Sequence, residues 1–235
     1  MNAHGLKSFL ALASMGALML ASCDSLPGRP TLADLPLRPS DVTQFTTLYG
    51  ENCAGCHGAD GKFGAAISLN NPLYLAIIDD ASMRRVIAGG VPGTSMPPFA
   101  QSAGGDLTNR QIDLLIAGIR KSWAGAPGAG AGAPPYSTSI AGDSNRGAQA
   151  YAANCQSCHG AGGQGGSNAG SIVDPSYLSL VSNQYLRTIV IAGRPDLGHP
   201  DWQHDASGQP LTTEQVSDLV AWLASQRPTF LAESK

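Results

Sequence analysis

The chain has 235 residues, of which 13% are charged, and its net charge at pH 7 is −3. This balance excludes the basic surface on which nucleic-acid binding depends, so nucleic acid is not an expected partner. The low charged fraction, with 29 glycines and 16 prolines, favours an exported protein with many loops over a highly charged cytosolic one.

Residues 1–22 have the features of an export signal. Lys7 precedes an apolar run at 9–20 that is followed by small residues, the order found in signal peptides. The run is shorter than the roughly 20 residues that a membrane-spanning helix needs. The Leu-Ala-Ser-Cys segment at 20–23 resembles a bacterial lipoprotein box. That resemblance implies an acylated Cys23 on the periplasmic side of a bacterial membrane; an ordinary signal peptide with a coincidental Cys is the alternative.

The segment at 23–40 follows this signal and contains four prolines. Prolines favour extended backbone, so we expect a lipidated tether that would hold the folded part clear of the lipid surface.

A first helical domain is expected at 41–124. Its first helix is expected at about 41–52, and its last helix behind Thr108 and Gln111, which have the spacing of a capping box. The apolar residues of that last helix recur at i, i+3, i+4 and i+7: Ile112, Leu115, Ile116 and Ile119.

The chain then repeats itself. Residues 125–142 are rich in Gly, Ala and Pro, which predicts a flexible linker. The segment at 151–163 matches that at 49–61, and further segments match at an offset of 102 to 104 residues. A second helical domain is therefore expected at 143–229. Its last helix repeats the box and the stripe: Thr212, Gln215, Val216, Leu219, Val220 and Leu223.

One difference between the repeats suggests how helices meet. Phe45 aligns with Gly147, and Gly118 aligns with Trp222. A volume-conserving exchange where the first and last helices cross would explain this pattern; coincidence is the alternative.

Both domains contain the motif Cys-x-x-Cys-His directly after the first helix. This pattern attaches haem c through two thioether bonds, and its His binds the iron. A redox-active Cys pair or half of a zinc site is the alternative. We expect two covalent haem c groups, bound by Cys53, Cys56 and His57 and by Cys155, Cys158 and His159.

With these motifs the chain resembles the class I cytochromes c, over about 41–124 and 143–228. The resemblance rests on the first helix, the Cys-x-x-Cys-His motif, a Gly-rich loop, a later Met before Pro and a last helix. It implies an all-α fold of two tandem domains, each wrapped around one covalent haem. It also implies that Met96 is the sixth iron ligand of the first haem, whereas Met83 is expected to pack in the core.

The second domain departs from that pattern, since the chain has no Met after residue 96. Aligning the repeats puts His199 within one residue of the Met96 position. We expect His199 to bind the metal opposite His159; His204 and an open position are the alternatives. A His/Met haem has the higher reduction potential, so electrons would move from the second domain to the first.

Smaller expectations concern the surroundings of the haems. The resemblance implies that a backbone carbonyl orients the iron-binding His, and Pro72 and Pro175 look like the corresponding positions. Arg84 or Arg85, and Arg187, are either partners of haem propionates or members of a solvated helix face.

The resemblance implies an electron carrier, anchored through Cys23, that works with redox partner proteins of a respiratory or photosynthetic complex. A carrier needs saturated iron at both sites. The alternatives are an enzyme, such as a dihaem peroxidase or a sulfur-compound oxidase, and a haem sensor. Both need an open iron, for which the second domain is the candidate.

Overall fold

The computed structural model describes residues 36–203 and 208–228, and the chain divides into two units, Met1–Arg38 and Pro39–Lys235. The expectations for the signal peptide at 1–22, for Cys23 and for His204 concern residues outside the described ranges. No helix within those ranges is both long and apolar enough to cross a bilayer. The helices given below all belong to the unit Pro39–Lys235.

The described part of this unit is helical without a strand, which confirms the all-α expectation, and the helices follow the same order in both repeats. Each repeat has a first helix, one helical turn that carries the motif, two short helices and a long last helix. The first repeat contains α1 (Phe45–Asn52), α2 (Ala54–His57), α3 (Pro72–Ile77), α4 (Asp80–Gly89) and α5 (Asn109–Trp123). The second repeat contains α6 (Ser144–Asn154), α7 (Gln156–His159), α8 (Pro175–Leu180), α9 (Asn183–Ala192) and α10 (Thr213–Ser225).

Both predicted capping boxes are present at the last helices. The Thr108 side chain accepts a hydrogen bond from the N–H of Gln111, whose side chain accepts one from the N–H of Thr108. Thr212 and Gln215 make the same reciprocal pair at α10. These bonds satisfy N–H groups that the first turn of a helix leaves without partners.

The first helices of the two repeats begin differently. At α6, the carboxylate of Asp143 accepts hydrogen bonds from the N–H groups of Asn145 and Arg146. At α1, Gln44 provides no side-chain cap, and the helix starts at Phe45, four residues later than expected. This helix therefore starts without the stabilisation of about 1 kcal/mol that a capping side chain provides.

The first and last helices of each repeat cross where a Gly faces an aromatic ring. A Cβ added to Gly118 would lie 2.1 Å from Cδ2 of Phe45. A Cβ added to Gly147 would lie 2.7 Å from Cβ of Trp222 and 2.0 Å from the carbonyl oxygen of Asp218. The predicted exchange of large and small residues at the crossing is therefore confirmed.

Each repeat has its own apolar core, and the two cores touch. Met83 is 3% exposed, which confirms its expected core position. Ala192 of α9 packs in the first core, and Leu73 of α3 packs against the second. The predicted stripes of both last helices are buried: Ile112, Leu115, Ile116, Ile119, Val216, Leu219, Val220 and Leu223.

The segment between the repeats is bound by the second repeat. Nε and Nη2 of Arg187 donate to the carbonyl oxygen of Pro135 at 3.0 and 2.9 Å. Nε2 of Gln184 donates to the carbonyl oxygen of Tyr136 at 2.7 Å, and Tyr136 packs against the first core. Side chains of the second repeat thus use the carbonyls of Pro135 and Tyr136 as acceptors, and the flexibility of 125–142 stays a prediction.

Candidate functional site

The first Cys-x-x-Cys-His motif lies where α1 ends and α2 begins. Cys53 is the residue between the two helices, and Cys56 and His57 lie on the single turn of α2. Residues three apart on a helical turn face the same side, as two bonds to one haem require. Burial, together with the nearby Cys56, raises the pKa of the Cys53 thiol to about 11, so this thiol is protonated at neutral pH.

The second motif is built in the same way. Cys155 lies between α6 and α7, and Cys158 and His159 lie on the single turn of α7. Both repeats therefore present two thiols and one imidazole from a single turn of helix.

Backbone carbonyls orient the imidazoles of both motifs. Nδ1 of His57 lies 2.8 Å from the carbonyl oxygen of Ile67, and Nδ1 of His159 lies 3.1 Å from that of Gly170. A carbonyl oxygen can only accept, so each Nδ1 carries the proton and each Nε2 is left to bind a metal. Burial lowers the pKa of His57, which favours the neutral imidazole that metals bind.

These carbonyls are not those of Pro72 and Pro175, so that expectation was wrong. Pro72 and Pro175 are instead the first residues of α3 and α8, whose caps are Asn71 and Asp174. Proline suits the first position of a helix because its φ is already helical and the missing N–H would have no partner there.

Two tyrosines that the sequence analysis did not single out support the motifs. The hydroxyl of Tyr49 donates to the carbonyl oxygen of Gly58 at 2.9 Å, and that of Tyr151 donates to Gly160 at 2.6 Å. Each Gly directly follows the motif His, so each Tyr ties the first helix to the end of the motif. The available signal was a Tyr four residues before the first Cys in both repeats.

Met96 and His199 occupy equivalent backbone positions. The carbonyl oxygen of Met96 accepts from the N–H of Val91 at 2.9 Å, and that of His199 accepts from the N–H of Arg194 at 3.2 Å. The glycine before each donor has a positive φ, 64° and 63°. The two loops therefore share this bond and this glycine turn, although one offers a thioether and the other an imidazole.

The structure brings His159 and His199 together. Their ring centroids are 5.9 Å apart, and their planes are inclined by 49°. Two imidazoles that bind one metal ion from opposite sides have ring centres about 6 Å apart, given metal–nitrogen bonds of about 2 Å. The separation of the two rings therefore matches the spacing that such a pair of ligands requires.

The imidazole of His199 also has the tautomer that a metal ligand needs. Nδ1 of His199 lies 2.8 Å from the carbonyl oxygen of Pro200, so Nδ1 carries the proton. Burial, followed by the nearby His159, lowers the pKa of His199, which favours the neutral form. His204, the alternative ligand, lies outside the described residues.

The arginines considered as propionate partners have protein partners. Arg84 pairs with Asp113 on α5, and Nη2 of Arg85 donates to Oγ of Ser82 at 2.7 Å. Arg187 binds the linker carbonyl described above. For Arg84 and Arg85 these contacts agree with the alternative that they belong to a solvated helix face. The guanidinium of Arg187 instead binds the segment between the repeats.

Two findings on the described residues concern the alternatives to haem. Residues 36–203 and 208–228 contain no group of three or more His, Cys, Asp or Glu that could hold a metal ion, whereas a structural zinc site uses four ligands. A thioredoxin-like Cys pair would accompany a βαβ pattern, and this part of the chain has no strand.

One protein family matches most of the folded part of the chain. The family model described as cytochrome c oxidase, cbb3-type, subunit III matches residues 40–117 and again residues 142–223, which together are more than half of the chain. A comparison with curated protein sequences found no match.

Two solved structures show partial similarity. Dihydro-haem d1 dehydrogenase NirN, in complex with DHE, is 30% identical over 38% of this chain, with a TM-score of 0.29, and the match covers 16% of that chain. The Kuenenia stuttgartiensis reducing HAO-like protein complex is 16% identical over 83% of this chain, with a TM-score of 0.47, and all of that chain is covered.

Proposed function

Because the chain belongs to the family described as cytochrome c oxidase, cbb3-type, subunit III, it is a c-type cytochrome, and we propose that it works as a dihaem electron carrier. Haem c supplies an iron that gains and loses one electron. In this proposal Cys53 and Cys56 hold one haem, and Cys155 and Cys158 hold the other. The protein side chains fix the position, the ligands and the solvation of each iron and make no bond to a substrate.

The axial ligands decide between a carrier and an enzyme. We assign His57 and Met96 to the first haem, and His159 and His199 to the second. The observation that carries the assignment of the second haem is the 5.9 Å separation of the His159 and His199 ring centroids. An iron bound on both faces has no position for a substrate, so this ligand set supports electron transfer rather than catalysis.

The two ligand sets also give the transfer a direction. A thioether ligand raises the reduction potential of a haem relative to a second imidazole. The first haem should therefore accept electrons from the second. The donor would meet the second repeat, and the acceptor would meet the first.

We further propose that the carrier is held at the periplasmic side of a bacterial membrane by a lipid on Cys23, through the tether at 23–40. Its partners would be redox proteins of a membrane electron-transfer complex. The family description, which names an oxidase subunit, supports a partner of this kind.

Carbon monoxide tests the proposal on the holoprotein, because it binds only to iron with an open or easily displaced ligand. Wild type is expected to show low-spin iron at both sites and to bind no carbon monoxide at the second haem. His199→Ala is expected to bind it there, whereas the control His204→Ala is expected to behave as wild type.

Two results would contradict these assignments. Carbon monoxide uptake at the second haem of wild type would exclude the saturated carrier and favour an enzyme. Uptake in His204→Ala, with none in His199→Ala, would instead leave the carrier intact and make His204 the ligand.

A further inference from the structure

The two repeats of the proposed carrier meet at an ion pair on the loop that leads to His199. The side chains of Arg194 and Asp196 are only 8% and 3% exposed. Nε and Nη2 of Arg194 donate to different carboxylate oxygens of Asp196, both at 2.9 Å. This is the bidentate geometry of strong Arg–carboxylate pairs.

Two further bonds of the Arg194 guanidinium cross into the first repeat. Nη1 donates to the carbonyl oxygen of Ala66, and Nη2 donates to that of Gly64, both at 2.9 Å. These carbonyls lie in the loop between His57 and Ile67, and the Ile67 carbonyl orients the His57 ring. An arginine of the second repeat thus binds the loop that positions the proposed iron ligand of the first.

Asp196 makes a second bond across the same boundary. Its Oδ2 accepts from the N–H of Phe63 at 2.8 Å. Phe63 has a φ of 62°, and among the described residues it is the only one other than glycine with a positive φ. This conformation is unfavourable for a residue with a Cβ. The matching residue of the second repeat is Gly165, with a φ of 101°. The other repeat therefore stabilises the unusual backbone of Phe63.

The backbone of Arg194 is also paired with the proposed ligand of the second haem. Its N–H donates to the carbonyl oxygen of His199 at 3.2 Å, and its own carbonyl accepts from the N–H of His199 at 3.0 Å. In the first repeat, Val91 makes the first of these bonds with Met96 but has no polar side chain. The side-chain network therefore belongs to the boundary between the repeats and not to the repeat fold.

We propose that Arg194 and Asp196 are positioning residues that hold the His57 loop and the His199 loop in one fixed arrangement for direct electron transfer between the haems. This proposal rests on the proposed function. One electron leaves the reduced second haem and enters the oxidised first haem, no bond forms or breaks, and the ion pair keeps its charges. Without the pair, the transfer slows while the ligands of both irons stay the same.

The first repeat supplies the residues for a variant without the ion pair. Val91 and Gly93 stand where the second repeat has Arg194 and Asp196. The double variant Arg194→Val/Asp196→Gly therefore gives the second loop the residues of the first. Glycine adopts the helical turn at Pro195–Leu197 as well as the positive φ of 72° that Gly93 has in the first loop.

A matched control pair lies wholly within the first repeat. Arg120 pairs with Asp80 at 2.8 Å and also donates to the carbonyl oxygens of Leu75 and Ile78. Arg120→Val/Asp80→Gly therefore removes an Arg–Asp pair and its carbonyl bonds without removing a hydrogen bond between the repeats.

Hydrogen exchange of the Phe63 amide measures the contact independently of electron transfer. In the reduced holoprotein we expect this amide to exchange about tenfold faster, or more, in Arg194→Val/Asp196→Gly, because it loses a charged acceptor. The control should match wild type. After flash reduction, the electron-transfer rate between the haems should fall on the order of tenfold, as small displacements of reacting groups can cause, with unchanged visible spectra.

Arg194→Lys separates geometry from charge. Lysine keeps the positive charge but lacks the planar fork of donors, so this variant should transfer electrons as slowly as the double variant. A wild-type rate in Arg194→Lys would overturn the proposal, and so would unchanged Phe63 exchange or an unchanged transfer rate in the double variant. Carbon monoxide uptake by the second haem of wild type would instead contradict the proposed function, whatever the Phe63 amide does.

Discussion

At the scale of single residues, the loop that carries the second axial ligand is where the two repeats differ most in chemistry. Met96 and His199 share a backbone position, as their equivalent carbonyl bonds demonstrate. Sulfur in one loop and nitrogen in the other would give the two irons different potentials on otherwise similar scaffolds. One side chain per repeat thus sets the proposed direction of electron flow.

The replacement Met96→His tests this assignment. It should lower the potential of the first haem by on the order of 100 mV, a fraction of the roughly 0.8 V over which axial ligands set haem potentials. A redox titration followed by visible spectra measures the change. Met83→Leu is the control, because Met83 is buried in the core and should leave both potentials unchanged. If Met96→His left the reduction potential of the first haem unchanged, the assignment of Met96 as a ligand would be contradicted.

Some site residues follow from sequence alone, and others do not. The alignment of His199 with Met96 was predictable because the repeats can be compared residue by residue. Tyr49 and Tyr151 were visible in the same comparison, but a Tyr on a helix suggests core packing, and nothing in the sequence points its hydroxyl at a glycine carbonyl. Arg194 could not be recognised, because its carbonyl partners lie about 130 residues away in the other repeat.

At the scale of helices, the sequence predicted helix starts correctly where a capping motif is present and misplaced them where none is. The capping boxes at Thr108 and Thr212 were predictable because each is complete within four residues. The start of α1 was misplaced because residues 42–44 are not helical and no capping side chain marks Phe45 as the start. Pro72 and Pro175 were assigned to a carbonyl role, although an Asn or Asp followed by Pro is itself a helix-start signal.

The helix crossings give a prediction at this scale. Gly147→Ala should destabilise the holoprotein by about 1–3 kcal/mol, because the new Cβ would lie 2.0 Å from the carbonyl oxygen of Asp218, which the helix holds in place. Gly118→Ala should cost less, because the Cβ meets the Phe45 ring, and a side chain can turn away.

Gly50→Ala is the matched control for this crossing. Gly50 also lies inside a first helix, and nothing lies within 4 Å of its added Cβ, so alanine should stabilise the protein by up to about 1 kcal/mol. Denaturant unfolding of the three variants measures these differences. A Gly147→Ala protein as stable as Gly50→Ala would mean that α6 and α10 do not approach so closely.

At the scale of the whole molecule, the contact between the repeats is what sequence comparison could not supply. Self-similarity reveals that two copies exist but carries no information on how they meet. The contact is made by residues that differ between the copies, such as Arg194 and Asp196, and by bonds such as Asn71 Nδ2 to the carbonyl oxygen of Ala192 at 2.9 Å. The bound part of the linker has the same origin, since Arg187 supplies its donors.

Acid should lower the free energy of unfolding by protonating two carboxylates. Asp196 lies at the boundary between the repeats, and Asp218 lies within the second repeat. Hydrogen bonds from Arg194 and Arg146 lower the pKa values of Asp196 and Asp218. Such a carboxyl stabilises the fold above its unfolded pKa of about 3.9, and this stabilisation is lost as pH falls through the lower folded value. Asp196→Asn/Asp218→Asn should therefore be less stable than wild type at neutral pH and lose less stability on acidification. Denaturant unfolding of the holoproteins between about pH 7 and pH 3 measures both, and equal losses would contradict the assignment.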